Sequence, residues 1–130
     1  MHSKLEVEFA HALSSAKAYV RNPERLRDLV TEGTRKALFL PHETFKGTLV
    51  YLHAMLRLMR AYYRGEYRAV PMTTLLIIVA ALIYLLNPLD MIPDWIPGLG
   101  FIDDAFILTL AARRTREVIE QFLAWESAHP

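Results

Sequence analysis

Leu86–Asp104, LNPLDMIPDWIPGLGFIDD, decides how the rest of this 130-residue chain is read. It holds three of the seven prolines, two of the five glycines and four of the fourteen acidic residues. Within it a tetrapeptide repeats in tandem, Asp90-Met-Ile-Pro93 followed by Asp94-Trp-Ile-Pro97. Proline fixes φ, removes a donor and pushes the preceding residue towards extended geometry. No regular helix survives Pro88, Pro93 and Pro97 within ten residues. Apolar residues fill the gaps between the aspartates, which argues against a solvated linker. The stretch therefore reads as a structured, partly buried hairpin turn with carboxylates at its tip. Asn87, Pro88, Pro93, Pro97, Gly98 and Gly100 would set its shape.

From Tyr84 onward the residues form a composite motif: a Tyr, Pro88-Leu-Asp90, Ile92-Pro-Asp94-Trp-Ile-Pro97, a Gly, and paired Asp103-Asp104. This pattern resembles the signature of the YkvA-like family, a domain of unknown function. The resemblance is clear over about residues 62–114. It implies a small helical protein, often membrane-associated, from a family without an established biochemical activity.

Outward from the turn lie two apolar arms. Before it, the 19 residues Pro71–Leu89 carry no charge, close to the length needed to cross a bilayer core. Their centre, MTTLLIIVAALIYLL at 72–86, is apolar on every side, as an amphipathic surface helix cannot be. It is either a membrane-embedded helix or a central helix buried all round. After the turn, Ala105–Ala112 is apolar and ends at Arg113-Arg114, and the helix expected over 103–126 becomes amphipathic, with Val118, Phe122 and Trp125 on one side. Arg57, Arg60, Arg64 and Arg68 precede the first arm; Arg113, Arg114 and Arg116 follow the second. Lys and Arg favour the cytoplasmic side, so both ends of a hairpin spanning 71–112 would lie there. A re-entrant or shallow hairpin fits better than two spans, because the second arm is short. Trp95 suits either a membrane interface or a buried packing role.

Upstream, residues 4–20 read as an amphipathic helix through Leu5, Phe9, Ala12, Ala16 and Tyr19. Asn22-Pro23-Glu24 is a start signal, with Asn as N-cap and Pro at the first helical position. The helix it opens, about 23–39, stacks Leu26, Leu29 or Val30, Gly33, Ala37 and Leu40. A third helix, about 43–64, sets Phe45, Leu49, Leu52, Leu56, Met59 and Tyr63 on one face and Lys46, His53, Arg57, Arg60 and Arg64 on another. The basic face suits anionic headgroups as well as plain solvent. The fold class is all-α, about five helices around the apolar hairpin. Residues 1–41 carry the N-terminal amphipathic helices and 42–126 the YkvA-like part, joined as one compact domain.

Composition bounds the function. A formal charge of +1 and no recognised motif speak against nucleic acid as a partner. The absence of cysteine excludes disulfides and thiolate chemistry. The opening MHSKLEVEFAHAL lacks the apolar region of a signal peptide. The five histidines show no metal-ligand spacing, and no serine lies in a nucleophile elbow. Chemistry, if any, belongs to Asp90, Asp94, Asp103 and Asp104. Converging carboxylates repel, and a hard divalent cation, Mg²⁺ or Ca²⁺, would compensate them with oxygen ligands. On the plainer account each is structural, with Asp103 or Asp104 capping the last helix and Asp90 and Asp94 closing Asx-turns. The expected protein is a non-enzymatic membrane or interaction module whose partner is the lipid bilayer. A metal-dependent hydrolase is the alternative from a different class, though no His, Lys or Cys stands near the motif to share acid–base work. A soluble oligomer burying the apolar helix against its copy is the third reading.

Overall fold

The computed structural model describes residues 14–40, 47–86 and 99–129, with 99–107 described by their backbone. Asn87, Pro88, Asp90, Pro93, Asp94, Trp95, Pro97 and Gly98 of the turn lie outside the described residues, as do Phe45 and Lys46. The fold is all-α: helices α1 (residues 14–20), α2 (Pro23–Ala37), α3 (Leu49–Tyr63), α4 (Met72–Leu86) and α5 (Leu99–Ala128), with no strand among the described residues.

The start of α2 follows from its sequence. The Asn22 side chain, on an extended backbone, accepts from the Glu24 and Arg25 amides at 3.1 and 3.2 Å, and Pro23 fills a position that needs no donor. Leu26, Leu29, Val30, Gly33 and Ala37 then form the buried stripe. The helix stops at Ala37, two residues before the sequence suggests. The Leu38, Phe39 and Leu40 amides bond the Arg35, Lys36 and Ala37 carbonyls, a tightened last turn that exposes Leu38 and Phe39, returns Leu40 to the core and leads to Pro41, whose ring disfavours helix before it.

α3 starts at Leu49, with Gly47 and Thr48 in a turn, rather than near residue 43; glycine is a poor helix former. Its exit is a Schellman motif. Gly65 takes φ +78°, its amide bonds the Tyr62 carbonyl at 3.0 Å, and the Glu66 amide bonds Ala61 at 2.9 Å. α4 occupies 72–86 as expected. α5 begins at Leu99, four residues earlier than expected, so Gly100, Asp103 and Asp104 lie inside it and no acid falls in its first turn. The helix starts once Pro97 is passed, because proline restricts the residue before it and not those after. Asp103 and Asp104 therefore do not cap α5, and Gly100 belongs to a helix rather than to the turn.

α2 packs on α3 and α4, and α5 packs on α3 and α4, closing a four-helix ring. α2 and α4 run one way: Gly33 faces Leu82, and Lys36 reaches the Leu85 carbonyl one turn further on. α3 and α5 run the other way: Tyr51 shares a cleft with Ala112 and Arg116, and Arg57 pairs with Glu126. A single apolar cluster runs from Ala16 through all five helices to Phe122. On α5 the buried positions Leu108, Ala111, Ala112, Thr115, Ile119 and Phe122 recur at helical spacing. The one buried hydroxyl there, on Thr115, donates to the Ala111 carbonyl at 2.7 Å, meeting the demand that buried polar groups be bonded.

Of the two readings for the apolar helix, the structure shows the second. Ten of the fifteen residues of α4 are buried within the protein, Tyr84 of the motif among them. The fifteen described residues of α4 span about 22 Å, against a ~30 Å hydrocarbon core. Among the described residues no helix is long and apolar enough to cross a membrane.

Candidate functional site

The helix directions gather four termini at one end of the bundle: the C-termini of α2 and α4 and the N-termini of α3 and α5. α4 leads into the turn sequence from this end, and α5 leads away from it. Lys36, in the last turn of α2, donates from Nζ to the Leu85 carbonyl at 2.6 Å. A cation there gives the Leu85 carbonyl a donor and opposes the negative end of the α4 dipole.

The same end exposes apolar side chains. Phe39 is 81% accessible, Leu38 72% and Val50 68%. Leu38 and Phe39 follow α2, and Val50 stands in the first turn of α3. Their clustering escapes sequence reasoning, which extends α2 through them; the signal was the Leu-Phe-Leu run just ahead of Pro41.

Beside Val50 an open cleft of about 330 Å³ runs between α3 and α5, lined by Gly47, Thr48, Tyr51, Thr109, Ala112, Arg113 and Arg116. Arg113 makes no ion pair among the described residues, whereas Arg116 Nε donates to Glu120 Oε1 at 3.1 Å. The Arg116 guanidinium is held further above its ordinary range, chiefly by that hydrogen bond, then by the nearby Tyr51 oxygen and the Glu120 charge. It stays fully cationic.

The opposite end is basic and aromatic. Arg57 Nε meets Glu126 Oε2 at 2.8 Å, joining α3 to α5 across 69 residues, where the sequence shows only a basic helix face. Tyr67 meets the Phe122 ring edge-on at 5.2 Å and the Trp125 ring at 5.1 Å; His129 stacks on Trp125 at 4.6 Å. The i,i+4 spacing of Trp125 and His129 is the sequence signal for that last pair. Arg68 covers the Tyr62 ring at 4.5 Å.

Of the aspartates singled out in the sequence, Asp90 and Asp94 fall outside the described residues, while Asp103 and Asp104 lie in the second turn of α5. Among the described residues no group of three His, Cys, Asp or Glu stands ready to hold a metal.

These features define an all-α bundle built on a buried apolar helix and a Pro/Asp turn sequence. The family model described as "Protein of unknown function (DUF1232)" matches residues 74–110, which take in most of α4, the Pro/Asp-rich sequence after it and the first part of α5. The uncharacterized membrane protein YkvA of Bacillus subtilis (strain 168) is 35% identical over 86 residues, 66% of this chain and 81% of that protein. The chain belongs to the YkvA-like (DUF1232) family. No solved structure matches it.

Proposed function

We propose that this chain is a non-enzymatic, membrane-associated module that seats one end of its bundle in the bilayer interface. The observation that carries this reading is the clustering of exposed Leu38, Phe39 and Val50 at the end where α4 and α5 flank the turn sequence. Burying apolar side chains yields about 1.5–3 kcal/mol each when complete, so three together support reversible docking without a span. The end bearing Arg57, Arg60, Arg64 and Arg68 then faces the cytoplasm, as basic residues favour. The naming of a relative as a membrane protein supports the membrane association.

The test is fractionation of the expressed chain alongside a Leu38→Asp/Phe39→Asp variant. Both positions are solvent-exposed, so the variant should keep its helical circular dichroism. Wild type should sediment with membranes and the variant should move to the supernatant. Wild-type protein found in the supernatant from the outset would refute the docking.

A second reading, divalent-cation binding at Asp90, Asp94, Asp103 and Asp104, draws support from one finding. Asp103 and Asp104 lie too deep in α5 to serve as its cap, so capping does not account for them.

A further inference from the structure

We propose that the cleft between the start of α3 and the middle of α5 is a binding site for a phosphate ester, gripped by Arg113 and Arg116. When the ester is a lipid headgroup the proposal rests on the membrane reading above; the cleft chemistry itself does not.

The lining determines the sign and the class of ligand. Arg113 and Arg116 both line a space of about 330 Å³, and no acidic residue lines it among the described residues. That volume falls at the small end of ligand pockets and suits a headgroup-sized anion. A guanidinium presents paired N–H donors that match two phosphate oxygens, which a carboxylate-poor, arginine-paired cleft favours over a cationic or neutral ligand. Arg113 is uncommitted to any ion pair among the described residues. Arg116 is tied to Glu120, but both side chains are more than half exposed, and exposed pairs of this kind are weak enough to exchange for a better acceptor. The hydroxyl-bearing residues Tyr51 and Thr109 add donors on facing helices. Gly47 and Thr48, just ahead of α3, line the same cleft, where the dipole of that helix adds favourable potential for an anion. Val50 lies next to Tyr51 in the chain and is largely exposed.

The experiment has two arms, each run on the full chain. In the first, flotation measures binding to phosphatidylcholine vesicles with and without phosphatidylglycerol. Arg113→Gln/Arg116→Gln should reduce the preference for anionic vesicles on the order of tenfold and leave binding to neutral vesicles unchanged. Arg114→Gln removes a neighbouring exposed charge that does not line the cleft, and should retain most of the preference. In the second arm, glycerol 3-phosphate is titrated while the amide resonances of Gly47–Tyr51 are followed. Saturable shifts should appear in wild type and vanish in Arg113→Gln/Arg116→Gln. Headgroup dependence without glycerol 3-phosphate shifts assigns the lipid as the source. Shifts in a protein that binds no vesicles at all would end the membrane reading and leave a site for a soluble ester. Vesicle binding that falls equally in the Arg114 variant, or ignores all three arginines, with no shifts in the second arm, would overturn the cleft and leave membrane docking intact.

Discussion

Gly33 marks the closest approach in the bundle among the described glycines Gly33, Gly47 and Gly65. A Cβ at this position would stand 3.1 Å from Leu56 Cδ2 and 3.4 Å from Leu82 Cδ2, so α2 meets α3 and α4 at one point. A methyl group asks those leucines to shift by a few tenths of an ångström, while the change from Gly to Ala gains about 1 kcal/mol of helix propensity. A larger side chain has no such compensation. Gly33→Leu should lower stability by about 1–3 kcal/mol through overpacking, read as a lower midpoint in urea with an unchanged slope. A midpoint equal to wild type would mean that the three helices do not meet here. This contact was legible in the sequence, because a glycine on the apolar stripe of an otherwise regular helix marks close packing. Phe39 was not. A large apolar residue ahead of a proline reads equally well as the last buried turn of a helix, and only the tightened exit at Ala37 turns it outward.

At the scale of the element, α2 and α5 show opposite fates for start signals. Asn22-Pro23-Glu24 acts as its residue types require, with the cap bonds made. Asp103-Asp104 offers a comparable signal, yet α5 is already helical at Leu99. Competing starts upstream are invisible to a local reading, since nothing between Pro97 and Asp103 forbids helix. The consequence bears on cation binding. The dipole's pull on an acid fades beyond the first turn, so the two carboxylates gain little from their place in α5. If they join Asp90 and Asp94 around Mg²⁺ or Ca²⁺, the metal stabilises the folded chain by mass action, about 2.7 kcal/mol at a hundredfold excess over Kd. The melting temperature of wild type should then rise with added cation, and that of Asp103→Asn/Asp104→Asn should not. The same rise in both proteins would remove these residues from any cation site.

For the whole molecule, the question is what surrounds α4. Its sequence is apolar on all sides, and periodicity alone cannot separate a lipid environment from a protein one, because both are apolar and neither leaves a polar stripe. The arrangement of the other helices decides it: α2 and α5 pack against α4, and Val79, Ala80, Ala81 and Leu82 are fully enclosed. The bundle then owes its cohesion to α4 as its core, and under the proposed function membrane contact falls to the exposed residues at one end. These two roles separate experimentally. Val79→Asp places a carboxylate where no partner is available in an apolar interior, at a cost of several kcal/mol. In detergent-free buffer the melting temperature should fall by about 10–20 °C for a chain of this size, or the cooperative transition should disappear. Leu38→Asp/Phe39→Asp, at the exposed end, should melt within a few degrees of wild type. If Val79→Asp melted like wild type in that buffer, α4 would not be the core of the folded chain, and the apolar helix would have to find its cover in the bilayer.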